Sequence, residues 1–284
     1  MDHAYRLRIG ATMPAPKGIT ISAEPRVLFF HLKKTGGSTI CAAFRKVLHA
    51  WPLLVNNCNC PAIGEHVRHG DGASVAAWMA WQNFTFCAVE EMGAFPSSAD
   101  GFTRLKLTFP GKLVTSLREP LARVKSHLAM DVRAMAAHGH GGDATNLTLS
   151  AFTSHVGLPF NGMRDPDAYV RAFTGLHRTG LSEGPPAPLQ SCHLRSAMQT
   201  LESAFDEVII LEQDSISDVV KRLSNNTAPG LPNLRKNVNV NSPEGSECRR
   251  EADRRDEEEW AERNQLDTRL YEWAVSMSVA RAWG

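Results

Sequence analysis

No stretch of about 18 consecutive apolar residues occurs in the chain, so the sequence offers no helix able to span a bilayer. Net charge is nearly absent as well. With 31 Lys and Arg against 30 Asp and Glu, the formal charge is +1. That excludes the broad basic footprint of a nucleic-acid binder, and a polyanionic partner must be met by a local patch. No self-similarity recurs at periods of about 20–50 residues, which excludes solenoids and propellers. The opening residues, MDHAYRLRIG, lack the apolar core of a secretory leader. Zinc-type cysteine spacing is missing too. The six cysteines (Cys41, Cys58, Cys60, Cys87, Cys192, Cys248) show no disulfide framework, and Cys58-Asn-Cys60 is too tight for a metal pair. The expectation is buried thiols with one bridge at most.

What is present is chemically specific. Residues 27–39 read VLFFHLKKTGGST, a short apolar strand running into a loop of lysines, glycines and hydroxyls. A helix pattern follows, with Ile40, Ala43, Phe44, Val47 and Leu48 on one face. The first N–H groups of such a helix have no intrahelical partner, and its positive dipole end faces the loop. That is an anion site, and phosphate is the natural occupant. Gly36 and Gly37 allow close backbone approach, Lys34 adds a full charge, and Thr35, Ser38 and Thr39 can donate hydrogen bonds. A nucleotide-triphosphate loop needs its lysine after the glycines, as G-x-x-x-x-G-K-[ST]. Here the lysines come first.

A second segment, KLVTSLREPLARVKSHL at 112–128, begins as a strand, breaks at Pro120 and continues as a helix with Leu121, Val124, Leu128 and Val132 along one side. Proline suits a first helical turn because its missing N–H costs nothing there. Arg118, at the strand end, has the planar fork that grips phosphate oxygens in pairs.

Together the two segments resemble the PAPS-dependent sulfotransferases, and the H-x-x-K-T-G-G form of the loop is similar to the carbohydrate-directed, Golgi-type branch. The family loop is close to H-x-P-K-T-G-G-T-[ST]. This chain has His31, Lys34, Thr35, Gly36 and Gly37 in register, with Lys33 at the usual proline and Ser38 at the usual threonine. The family's second signature, L-R-[DE]-P-x-x-R-x-x-S, reads Leu117-Arg118-Glu119-Pro120-Leu121-Ala122-Arg123-Val124-Lys125-Ser126. Fainter likenesses continue at Asp167–Gly175 (DAYVRAFTG, with Asp167 for the family's asparagine), at Glu207–Leu223 with its LE corner, and at Asn264–Ala274 (NQLDTRLYEWA).

The resemblance implies sulfuryl transfer from PAPS to a hydroxyl of a glycan acceptor, with no metal. It implies that Lys33, Lys34, Thr35, Gly36, Gly37, Ser38 and Thr39 cradle the 5′ side of the nucleotide. Arg118 and Ser126 would hold its 3′-phosphate. Lys34 would steady the charge that develops on the bridging oxygen. A base must take the acceptor's proton. Glu90, ending the expected strand Phe84–Glu90, is preferred, and Glu91 is its neighbour on the opposite face. His66, in a segment similar to the family's G-H-[VL], is the other candidate. Arg235 and Lys236 match a late basic segment. Two other function classes stay open: a non-catalytic nucleotide-binding descendant, and a P-loop nucleotide kinase.

Strands expected at 27–31, Phe84–Glu90, Leu113–Leu117 and Val208–Leu211, separated by helical stretches, imply an α/β fold. Its architecture would be P-loop-like and three-layered, a central parallel sheet flanked by helices. Residues 1–24 read as a flexible lead and 25–284 as a single domain, which a chain with 43% hydrophobic residues can support. Residues 138–148, with His138 and His140, and 182–188 read as surface loops. Residues 244–263 read as an exposed, charge-laced helix, and the final helix is expected to turn Trp260, Leu266, Leu270, Trp273 and Met277 inward. The family's usual place is the Golgi lumen, held by an N-terminal anchor. None is visible in these residues, so cytoplasm is the alternative. Sequons at Asn83, Asn146 and Asn225 permit a luminal glycoprotein.

Overall fold

The computed structural model describes residues 26–45, 58–90, 92–137, 148–153, 165–177, 186–224 and 247–283. Four strands, β1 (Val27–His31), β2 (Phe86–Val89), β3 (Lys112–Leu117) and β4 (Glu207–Ile210), form an all-parallel sheet in the order β2-β1-β3-β4. Each lies within a residue or two of the apolar run that predicts it. These runs are continuous rather than alternating because both faces of the sheet are covered.

Alternation decides which face each residue serves. Leu28 and Phe30 of β1, Cys87 and Val89 of β2, and Leu113 and Leu117 of β3 point into the larger core. Helices α3 (Gly72–Trp81), α4 (Ala99–Thr108), α7 (Ala168–Thr174), α8 (Ser191–Ala204) and α11 (Gln265–Trp283) close that side. Val27, Phe29, Phe86, Ala88, Val114 and Ile209 point the other way, against α1 (Gly37–Phe44) and α9 (Ile216–Ser224). The result is a three-layer α/β fold. A third, smaller cluster joins Val124 of α5 (Pro120–Ala137), Leu149 and Phe152 of α6 (Leu149–Thr153) and Trp260 of α10 (Glu247–Arg263).

Two sequence expectations are corrected. Trp260 belongs to the charge-rich α10 and packs against α5 and α6, not to the last helix. The apolar period runs straight through residue 264, but the chain turns there. Asn264 donates from Nδ2 to the Trp260 carbonyl at 2.7 Å and accepts the Asp167 N–H on Oδ1 at 2.9 Å. Among the described residues the cysteines form two disulfides, Cys41–Cys58 and Cys60–Cys87, with Cα separations of 5.6 and 5.7 Å. Cys58 has φ 59°, and this turn sends its sulfur toward α1 while Cys60 faces the larger core. A bridge closing a loop of this order constrains the unfolded chain by about 3 kcal/mol.

Residues 1–25, the sequons Asn146 and Asn225, His138, His140, Glu91, Arg235 and Lys236 lie outside the described residues. No helix among the described residues is long and apolar enough to cross a membrane.

Candidate functional site

The strand order reverses at β1. The chain moves from β1 to one neighbour, β2, and then returns to the opposite side for β3. Segments leaving the carboxyl ends of β1 and β3 therefore diverge, and the crevice between them is the standard ligand position in such sheets. Both sequence motifs lie there.

The loop after β1 ends in a helix start that no side chain caps. Lys34 and Gly36 have φ 72° and 88°, a left-handed pair of turns that glycine adopts freely and lysine only under constraint. Gly36 is the N-cap of α1 and offers no side chain to satisfy the helix start. Gly37 has no room for a side chain: a Cβ there would lie 2.1 Å from Cε1 of the buried His31 ring. The carbonyls, by contrast, are engaged from inside. Thr35 donates from its buried hydroxyl to the Leu32 carbonyl at 2.8 Å. Ser116 of β3 donates to the Thr35 carbonyl at 2.8 Å, and Arg118 donates from Nη1 to the Lys34 carbonyl at 3.3 Å. Thr35 thus shapes the loop from within, while Ser38 and Thr39 stand outward at the helix start.

The helix after β3 is closed at the same end. Glu119 accepts the N–H groups of Leu121 and Ala122 at 2.9 and 2.6 Å, capping α5 behind Pro120. Of these two helix starts, the uncapped one follows the lysines.

Arg118 is held by two of the fainter sequence likenesses, and the third supports one of them. The Tyr169 hydroxyl accepts the Arg118 N–H and donates to the Arg118 carbonyl, both at 3.0 Å. Glu212, in the LE corner, places Oε1 3.8 Å from Arg118 Nε and accepts the Glu119 N–H at 3.2 Å. Tyr271 donates to the other Glu212 oxygen at 2.9 Å. Arg123, the second motif arginine, is buried, its guanidinium carbon 5.2 Å from the Tyr169 ring centroid.

Tyr169 is itself fixed by a reciprocal cap. Asp267 accepts the N–H groups of Tyr169 and Val170 at the start of α7, at 3.0 and 2.9 Å. Asp167 accepts those of Leu266 and Asp267 at the start of α11, both at 3.0 Å. Two helix N-termini meet, and each is capped from the other. Burial and the facing Asp167 carboxylate raise Asp267 to about 7.

Cations gather at the crevice. Burial lowers the Lys34 ammonium pKa, and the charges of Arg133 and Arg118 lower it further, while Glu90 and Asp131 oppose them. Arg133 and Asp131 are missed by sequence reasoning. One signal was available: Arg133 follows Ser126 by seven residues, so both lie on one side of α5. Ser126 is half-buried there.

The two candidate bases differ in setting. Glu90 directly follows β2, accepts a hydrogen bond from Asn59 Nδ2 at 2.7 Å, and acts electrostatically on both Lys34 and His31. His66 sits exposed on α2 (Gly64–Arg68), 3.7 Å from Asp71, which in turn caps α3 through the Ser74 N–H. No hydrogen bond or ion pair among the described residues joins His66 to the loop. Among the described residues no group of three or more His, Cys, Asp or Glu side chains is placed to hold a metal ion.

No protein-family model matches the chain, and no curated protein matches it.

Proposed function

We propose that the chain is a sulfotransferase that takes a sulfuryl group from PAPS and places it on a hydroxyl of a glycan acceptor. The observation that supports this reading is the hydrogen bond from Arg118 to the Lys34 carbonyl, which joins the two strand ends at one crevice. One phosphate fits an uncapped helix start beside an ammonium, and a second fits a guanidinium fork across the crevice. A nucleotide bearing phosphates on both sides of its ribose has that charge pattern.

Lys34, Gly36, Gly37 and Ser38 would hold the 5′-phosphate, with Lys33 and Thr39 at the rim and Thr35 shaping the backbone. Arg118 and Ser126 would hold the 3′-phosphate. PAPS supplies an activated sulfuryl group, bound to phosphate through one bridging oxygen. Glu90 takes the proton of the attacking hydroxyl, and Lys34 steadies the negative charge left on phosphate when the bridge breaks. His66 is the second choice of base, since of the two candidates Glu90 is the one that acts on Lys34 electrostatically.

Two disulfides suit an oxidising compartment, which supports the Golgi lumen over the cytoplasm. Asn83, exposed in the turn after α3, would then be open to glycosylation.

Calorimetry with adenosine 3′,5′-bisphosphate, AMP and ATP, with and without magnesium, tests the ligand class. The bisphosphate should bind tightest without metal, whereas magnesium-dependent preference for ATP would point to a kinase. Sulfate-labelled PAPS offered with desulfated glycans tests the transfer itself. Nucleotide affinity without turnover would mark a non-catalytic descendant.

A further inference from the structure

The Cys58-Asn59-Cys60 segment lies outside both nucleotide motifs, yet it reaches Glu90. Asn59 pairs with Ala88 as an isolated parallel bridge beside the edge strand β2, two residues before Glu90. Ala88 donates to the Cys58 carbonyl at 2.9 Å, and Cys60 donates to the Ala88 carbonyl at 3.0 Å. The Asn59 side chain then reaches Glu90 Oε2 at 2.7 Å. Its own Oδ1 is buried, as is Nε2 of the buried His31, and the Asn59 side chain also engages the His31 ring.

The disulfides bracket this asparagine. Cys58 is bonded to Cys41 of α1, the helix whose start faces the anion loop. Cys60 is bonded to Cys87 of β2, the strand that delivers Glu90. Each bridge therefore ties Asn59 to one half of the site. A glutamate at a strand end has three side-chain torsions to fix. A neutral amide donor selects one arrangement without neutralising the carboxylate as a cation would.

We propose that Asn59 is the positioning residue that aims Glu90 into the crevice, and that the Cys41–Cys58 and Cys60–Cys87 bridges act as the clamp that holds Asn59 there. This rests on Glu90 being the base of the sulfuryl transfer proposed above. Misplacing a base by about 1 Å costs on the order of 10²-fold in rate. The clamp makes turnover dependent on the oxidised state of this segment.

The test measures release of adenosine 3′,5′-bisphosphate from PAPS, with water or desulfated glycan as acceptor, alongside calorimetry of the bisphosphate. Asn59→Ala and the isosteric Asn59→Asp should each lower kcat by about 10²-fold. The KM for PAPS and the bisphosphate Kd should stay unchanged. In a Glu90→Gln background, Asn59→Ala should cost nothing more, because its effect passes through that carboxylate. Mass mapping of an unreduced digest should recover Cys41–Cys58 and Cys60–Cys87. Wild-type kcat in Asn59→Ala, an equal loss in the Glu90→Gln background, or different cysteine pairing overturns the inference and leaves the sulfotransferase reading standing. A wild-type chain that fails to bind the bisphosphate, or binds it without turning PAPS over, overturns that reading and the inference with it.

Discussion

Arg118 donates from Nη1 to the carbonyl oxygen of Lys34 at 3.3 Å. The bond spans two segments that are neighbours only because β1 and β3 pair in register, His31 opposite Ser116. It also accounts for the backbone of Lys34, whose φ of 72° is a conformation a lysine keeps only where its surroundings impose it. Arg118 therefore has two tasks, shaping the loop and presenting charge.

A substitution can separate them. Arg118→Lys keeps the positive charge and loses the planar fork. Losing a charge-assisted pair costs about 1.5–3 kcal/mol, so affinity for adenosine 3′,5′-bisphosphate should fall by about 10–100-fold. Affinity for AMP, which lacks the 3′-phosphate, should fall much less. Calorimetry with both nucleotides decides it. Equal losses would mean that Arg118 acts only through the loop.

Lys34 predicts a pH dependence. Burial, Arg133 and Arg118 all favour its neutral form, so the ammonium is lost at a lower pH than in an ordinary lysine. If that ammonium steadies the leaving phosphate, activity falls along an alkaline limb set by Lys34. Arg133→Ala removes one repelling charge and favours the protonated form. The limb should move to higher pH, and added salt should shift the wild type in the same direction by screening. A pH–rate profile of PAPS turnover checks both. A limb that stays in place in Arg133→Ala would remove Lys34 from that role.

Gly37 is required by its neighbour, the His31 ring. A methyl group at this position would meet three atoms of the His31 ring at 2.1 to 2.7 Å, and that ring stacks on Phe29 with centroids 4.9 Å apart. Gly37→Ala should destabilise the chain by about 1–3 kcal/mol, the usual cost of overpacking. In a His31→Ala background the same change should cost much less, because the ring is gone. Chemical denaturation of the four variants gives the coupling directly. Additive losses would show that the clash is not the reason for glycine here.

Much of this arrangement was legible in the sequence, and the rest was hidden for definite reasons. The strands could be read because each is a short apolar run, and the first three end near a glycine or proline turn. The two candidate anion-binding segments could be read because their chemistry is local. The partnership of Asn59 with Glu90, and both disulfides around it, join residues whose proximity no periodicity records. The three fainter likenesses gave no hint that Tyr169, Glu212 and Tyr271 all serve Arg118. Trp260 was assigned to the wrong helix because the apolar period carries on past the turn at Asn264.

Asp167, where the resembled family has asparagine, yields the sharpest stability prediction. It sits at φ 54°, a conformation asparagine and aspartate tolerate best among residues with side chains. Its oxygen Oδ1 alone accepts both N–H groups of the α11 start, so an amide could do the same work. Its charge, however, faces Asp267, with Arg171 opposing on the Asp167 side and Arg123 on the Asp267 side. Asp267 keeps its proton in the folded chain up to about 7, well above the ordinary aspartate range. The folded state then binds more protons than the unfolded one through that window. Stability is therefore greatest near pH 4 as far as this pair is concerned, and falls as pH rises toward 7. Asp167→Asn keeps the caps and removes the repelling charge. It should flatten this slope and stabilise the chain at pH 7.5 by on the order of 1 kcal/mol, the equivalent of about one pH unit. Thermal midpoints should rise by roughly 2–4 °C at that pH and hardly at all at pH 4.5. A midpoint raised equally at both values would assign the gain to backbone preference at φ 54° rather than to the meeting of two carboxylates.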